Sequence, residues 1–106
     1  MTRYLLAILT LLSITSACST HYYEVNNDGL HMFLKEPNAN EVYFLCSLDQ
    51  FEPHPAIETK PGTWEAVVPT DKEFRYFFQV DGDFFVPLCE MKESDDFGSE
   101  NCIYVP

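Results

Sequence analysis

The 106-residue sequence predicts an all-β domain, a β-sandwich of two packed antiparallel sheets, behind an N-terminal targeting segment. Short stretches rich in aromatic and β-branched residues recur along the chain, and such residues favour strands. Turn residues separate these stretches, and no segment carries a sustained apolar period of about 3.6 residues, so we expect little helix.

The targeting segment occupies residues 1–17. Arg3 supplies a short basic region, residues 5–12 are apolar, and small residues precede Cys18. This order is typical of a secretory signal peptide, and the apolar stretch is too short for a permanent membrane-spanning helix. We therefore expect the protein to be exported from the cytoplasm.

The end of that segment, Thr15-Ser16-Ala17-Cys18, resembles a bacterial lipobox. The resemblance implies cleavage before Cys18 and acylation of this residue as the new N-terminus, which would anchor the protein to a membrane of the bacterial cell envelope. Ser19 in the next position suggests the outer membrane, with the domain facing the periplasm. The same residues also suit ordinary signal peptidase, so a soluble periplasmic or secreted protein is the alternative.

Residues 18–28 are mostly polar and are predicted to be a linker that ends in an Asn-Asp-Gly turn. The sandwich follows over residues 29–106, where proline, asparagine, aspartate and glycine mark the turns. Predicted strands cover residues 30–36, 41–47, 63–68, 73–80, 84–87 and 102–105.

The chain is strongly acidic, with 17 Asp and Glu against six Lys and Arg and a formal net charge of −11. Such a charge repels nucleic acid and anionic lipid surfaces, so we expect no nucleic-acid partner. We interpret the acidity as a feature that favours solubility.

The cysteines predict a single disulfide, because disulfides persist in an exported protein. If Cys18 is lipidated, three thiols remain, which allow one bridge and one free thiol. We favour a bridge between Cys89 and Cys102, and a bridge between Cys46 and Cys102 is the alternative.

Residues 73–85, EFRYFFQVDGDFF, hold six aromatic rings around an Asp-Gly turn. Side chains alternate between the two faces of a strand, so the even-numbered rings before the turn share a face that we assign to the core. These core rings are Phe74, Tyr76 and Phe78. Trp64 is assigned to the core by the same alternation, and Phe77 is expected to point outward.

Four stretches stand in a recognisable order: LHMFLKEPNANEVYFLCSLDQF, GTWEAVV, FRYFFQVDGDFFVP and DDFGSENCIYV. Together they resemble the glycogen-binding module of the AMP-activated protein kinase β subunit. They are equally similar to the N-terminal early-set domain of isoamylases and glycogen branching enzymes. The similarity covers residues 29–106 and implies an immunoglobulin-like β-sandwich that binds α-1,4-glucan without cleaving it.

The resemblance also implies which residues contact sugar. The matching positions are Phe51, Phe77, Phe84, Phe97, Ser99 and Asn101. Phe51 and Phe84 stand where the family has stacking tryptophans, and Phe77 stands where it has a lysine. A flat ring suits the C–H-rich face of a pyranose, and the two polar side chains can hydrogen-bond hydroxyls. Phenylalanine is a smaller surface than indole and the lysine charge is lost, so we expect weak binding of an α-glucan or related oligosaccharide.

Two other interpretations of these phenylalanines stay open. They could pack on each other, or beneath residues 88–100, with no ligand. Alternatively, the same face could dock an envelope protein after sugar binding has been lost.

We expect no enzyme activity, no cofactor and no metal site. The three histidines are scattered without zinc-ligand spacing, and Asp81 and Asp83 belong to a predicted hairpin turn. The chain has no glycine-rich phosphate loop and no nucleophile elbow. Paired carboxylates for glycoside hydrolysis would need a deep cleft, which a domain of this size rarely supplies.

Overall fold

A computed structural model describes residues 20–94 and 98–106 of the chain. This part is almost entirely β structure, with one short 3₁₀ helix over Ser47–Asp49. Its strands are β1 (Thr20–Asn26), β2 (Gly29–Lys35), β3 (Val42–Cys46), β4 (His54–Pro55), β5 (Ile57–Lys60), β6 (Thr63–Val68), β7 (Phe74–Val80), β8 (Asp83–Phe85), β9 (Lys92–Ser94) and β10 (Glu100–Tyr104).

The strands form two antiparallel sheets, which confirms the predicted all-β sandwich. The smaller sheet has the strand order β1-β2-β6-β5. The larger sheet has the order β4-β3-β7-β10-β9, and β8 pairs with β7 beside this path. One hydrophobic core includes side chains from the inner faces of both sheets.

Alternation along the strands produces this core. The buried positions of β2 are Leu30, Met32 and Leu34, and those of β7 are Phe74, Tyr76 and Phe78, as predicted for β7. Trp64 is also buried, and its indole N–H donates to the Glu36 carbonyl oxygen at 3.2 Å. Burying each large side chain contributes about 1.5–3 kcal/mol, so this alternation is the main determinant of the fold.

The predicted linker over residues 18–28 is a strand over most of its length. Strand β1 pairs with β2 in an unbroken register, from Thr20 opposite Lys35 to Asn26 opposite Gly29. The His21 ring hydrogen-bonds the Tyr76 hydroxyl at 2.7 Å, which ties this strand to the opposite sheet. The sequence of this strand is mostly polar because most of its side chains lie on the surface.

The predicted bridge between Cys89 and Cys102 is present, with Cα atoms 5.9 Å apart. Cys46 is free and buried in the described part of the chain, and burial raises the pKa of its thiol. The alternative bridge from Cys46 is therefore not the one formed.

The predicted signal peptide over residues 1–17, Cys18 and Phe97 lie outside the described residues. Within the described residues, no helix has both the length and the apolar character needed to cross a membrane.

Candidate functional site

Three of the predicted site residues meet on the outer face of the larger sheet. Phe77 lies between the other two: its ring stacks on Phe51 at a centroid distance of 5.5 Å and meets Phe84 edge-on at 5.4 Å. Outward alternation along β7 places Phe77 there, because its neighbours Tyr76 and Phe78 face the core. We call Phe51, Phe77 and Phe84 the aromatic platform.

A tight hairpin presents Phe84. The turn between β7 and β8 has positive φ at Asp81 (48°) and at Gly82 (89°), which matches the twist that a two-residue hairpin requires. The Asp81 carboxylate accepts the backbone N–H groups of Asn40 and Glu41 at 2.8 and 2.9 Å. These bonds fix the hairpin, and Phe84 remains 73% exposed beside it.

A strained loop presents Phe51. Gln50 and Phe51 both adopt left-handed backbone conformations, with φ of 64° and 61°. Such a conformation costs a non-glycine residue about 1–2 kcal/mol. The Phe51 N–H donates to the Cys46 carbonyl oxygen at 2.8 Å, and the Ser47 hydroxyl accepts the Arg75 N–H at 2.9 Å. Strain of this kind is concentrated at functional sites.

Leu45 lies on the same outer face, directly opposite Phe77 in the β3–β7 ladder. It is 5% exposed although it is not part of the core between the sheets. Side chains on the outside of the sheet therefore cover it, and the platform has its own apolar base. Packing holds Phe77 in place, whereas most of the Phe84 ring is left in contact with water.

Polar residues border the platform on the β10 side. Cys102 pairs with Tyr76, so the same register extended by one residue sets Asn101 opposite Phe77. Asn101 is half-buried and Ser99 is exposed. The structure thus brings Asn101 to the platform, while Ser99 lies just before β10.

Arg75 supplies a cation on the same face, two residues before Phe77 on β7. Its guanidinium donates to Glu73 at 2.7 Å and to Glu93 on β9. The hydrogen bond to Glu93, and then that to Glu73, raises the pKa of Arg75. Sequence reasoning missed this residue, although its alternation with Phe74 and Tyr76 indicates the outward face.

A second row of rings lies on the outer face of the smaller sheet. Tyr22 stacks on Phe33 at 4.8 Å, and Phe33 stacks on His31 at 6.5 Å. His31 also hydrogen-bonds Asp28 at 2.7 Å and Glu65 on β6. We call Tyr22, His31 and Phe33 the smaller-sheet cluster; sequence reasoning missed it because β1 was read as linker.

A cleft of about 850 Å³ lies at the opposite edge of the sandwich from β1, and none of the platform residues lines it. Its apolar wall includes Phe44, Cys46, Ala66 and Val68, all of which belong to the core. At the rim of this cleft, the carboxylate of Asp49 forms a hydrogen bond with the His54 ring. Within residues 20–94 and 98–106, no group of three His, Cys, Asp or Glu side chains is placed to hold a metal ion.

Comparison of the chain with protein-family models finds no matching family, and a search of curated proteins finds no significant match. The chemistry of the site therefore rests on the geometry of the aromatic platform and its polar border.

Proposed function

We propose that this protein is a non-catalytic carbohydrate-binding module of the immunoglobulin-like, early-set type, related to glycogen-binding domains. Its ligand is an α-glucan or a related oligosaccharide. The observation that carries the proposal is the contiguous platform of Phe51, Phe77 and Phe84 on the outside of the larger sheet.

The shape of the platform suits a sugar better than it suits a buried apolar ligand. Pyranose rings bind by laying their C–H-rich faces on exposed aromatic rings, while hydroxyls at the ring edges need polar partners. Phe84 offers the exposed ring, and Asn101, which the register sets opposite Phe77, offers an amide. Phe51 is held against Phe77 at a backbone cost, which favours a role beyond filling space.

Arg75 partly offsets the missing family lysine. It lies on the same face as Phe77, and its guanidinium can donate further charge-assisted hydrogen bonds to hydroxyls. Both of its carboxylate partners are about half exposed, so they leave the guanidinium near solvent. Binding should nevertheless be weak, because phenylalanine is a smaller stacking surface than tryptophan.

We propose that the N-terminal segment directs this module to the bacterial envelope. Cleavage before Cys18 and acylation of that residue would tether the domain to the outer membrane by way of β1, which begins two residues later at Thr20. Mass spectrometry of the mature N-terminus tests the anchor, since acyl chains add a defined mass to the first peptide.

Affinity electrophoresis tests the binding function. The native protein should migrate more slowly in a gel that contains glycogen or amylopectin than in a plain gel, and Phe84→Ala should restore the plain-gel mobility. The matched control is Ile57→Ala, which removes an equally exposed apolar side chain from the smaller sheet and should leave retardation intact.

Unaltered mobility of the native protein in both polysaccharides would contradict the glucan ligand. That result would favour the second function expected from the sequence, in which the platform docks an envelope protein.

A further inference from the structure

We propose that two copies of this chain associate through the free edge of β1 and join their smaller sheets into one continuous sheet. An exposed strand edge is a template for pairing with another strand. Strand β1 is at the end of its sheet, and within the described residues no strand pairs with its outer side.

The other sheet ends carry features that block strand addition, and β1 does not. Strand β4 has two residues and ends in Pro55, and β9 has three residues and begins with Lys92. Strand β5 has an irregular register between Glu58 and Lys60. By contrast, β1 has seven residues in unbroken register, with no proline, lysine or bulge.

The free backbone groups of β1 belong to its odd-numbered residues. The Glu36 N–H donates to the Gly62 carbonyl oxygen at 2.8 Å, in the register that pairs β2 with β6. Backbone groups point to alternate sides on successive residues, so even positions of β2 bond to β6 and odd positions to β1. The partners on β1 are even-numbered. The N–H and C=O groups of His21, Tyr23 and Val25 therefore point to the open edge.

These groups are self-complementary about Tyr23. In an antiparallel pair with a two-fold axis at this residue, Tyr23 bonds to Tyr23 of the second copy, and His21 bonds to Val25 on both sides. Every free group of the edge then has a partner. Glu24 lies opposite Tyr22 of the second copy, so the carboxylates do not face each other.

An exposed apolar patch beside β1 identifies the occupant as a second copy. A cleft of about 390 Å³ separates β1 from the chain around residues 88–91 and the end of β10. The large apolar side chains exposed on β1 and around this cleft are Tyr23, Val25, Leu88, Met91 and Val105. A lone added strand would cover β1 only. A two-fold copy brings its own patch to the same side of the joined sheet, so the two patches cover each other.

The arrangement has a consequence that rests on the proposed function. The two-fold axis is perpendicular to the joined sheet, so both larger sheets lie on one side of it and both aromatic platforms face the same way. A long polysaccharide could then contact both platforms, which raises avidity without any new contact.

Disulfide trapping tests the association without using a sugar. The Cα atoms of two Tyr23 residues in such a pair would lie about 5.5 Å apart, inside the range that a disulfide accepts. The full chain with Tyr23→Cys, expressed with its own signal in a Gram-negative host, should run as a dimer on a non-reducing gel and as a monomer after reduction. Ile57→Cys, at the opposite edge of the same sheet, is the matched control and should stay monomeric.

Light scattering on the purified native protein should give twice the mass of one chain. Val25→Pro removes an N–H that the β1–β2 register leaves without a bond to the described residues, so it should give a folded monomer. Leu88→Asp tests the patch without altering the backbone and should also give a monomer. A monomeric native protein, equal trapping through Ile57→Cys, trapping of Tyr23→Cys to a different protein, or a dimer that survives both disrupting variants would overturn the proposal.

Discussion

The outer face of each sheet carries three rings in a row. The two rows differ in their contacts with the rest of the chain and in their exposure to water. On the smaller sheet, Tyr22 and Phe33 stack nearly parallel, and both nitrogens of His31 are bonded to carboxylates of the same chain. On the larger sheet, Phe84 meets Phe77 edge-on and stays 73% exposed. Aromatic spacing alone therefore does not define a site, because it is the exposure of Phe84 that separates the two faces.

The largest expected change in stability, and the largest difference between the two sheets, comes from removing the disulfide. Cys89 and Cys102 are 13 residues apart, and replacing both by alanine should lower the free energy of unfolding by about 3 kcal/mol. Urea unfolding measures this loss. Hydrogen exchange should show that β9 and β10, which border the platform, lose more protection than the β1–β2 ladder. Equal loss in both sheets would contradict a local role for the bridge.

Removing the central ring of each face sharpens the comparison. Phe77→Ala and Phe33→Ala each delete a half-buried aromatic side chain, so each should lower the free energy of unfolding by about 2 kcal/mol in thermal or urea unfolding. Only Phe77→Ala should abolish retardation by glycogen. If Phe33→Ala also abolishes it in a folded protein, the two faces are not functionally distinct.

The pH dependence of stability should separate two places in the molecule through two histidines: His31 on the outer face of the smaller sheet, and His21 at its contact with Tyr76 of the larger sheet. Hydrogen bonds to Asp28 and then Glu65 raise the pKa of His31 above its ordinary 6.5, so its contribution is full below that pH and is lost as pH rises through the folded value. Burial lowers the pKa of His21 from 6.5, so stability is lost as pH falls below 6.5.

We therefore expect the melting temperature to be highest near the ordinary histidine pKa of 6.5. His31→Gln should flatten the alkaline side of the profile, and His21→Gln should flatten the upper part of the acid side. Identical profiles for His31→Gln and the native protein would contradict the role of the bonded histidine on the smaller sheet.

The smallest expected effect lies in the loop that presents Phe51. Gln50→Gly relieves a left-handed backbone conformation at φ 64°, and should raise the free energy of unfolding by about 0.5–1 kcal/mol after the added chain entropy of glycine. Gln50→Ala keeps the strain and is the matched control, with little expected change. A loss of stability in the glycine variant would contradict the strained loop.

Alternation made much of this fold predictable. The parity of rings in residues 73–80 identifies both the core face of β7 and the outward Phe77, because a strand has no other way to place its side chains. An exported chain with three remaining thiols predicts one bridge. The pairing itself stayed open between Cys89–Cys102 and Cys46–Cys102, and the favoured pair, Cys89 and Cys102, is the one formed.

What the sequence did not reveal depends on contacts between distant segments. Strand β1 was missed because its polar residues lie on the surface and only its pairing with β2 makes it a strand. Leu45 was missed because it is buried on the outer face of the sheet, away from the core between the sheets. The left-handed pair at Gln50 and Phe51 has no glycine to signal it.

Amide NMR spectra recorded during a titration with maltoheptaose test the central claim most directly. The account predicts shifts at Phe51, Phe77, Phe84 and Asn101, with the amides of Tyr22 and Phe33 unchanged. Shifts confined to the smaller-sheet cluster or to the lining of the 850 Å³ cleft, or no shifts at saturating sugar, would contradict a carbohydrate site on the aromatic platform.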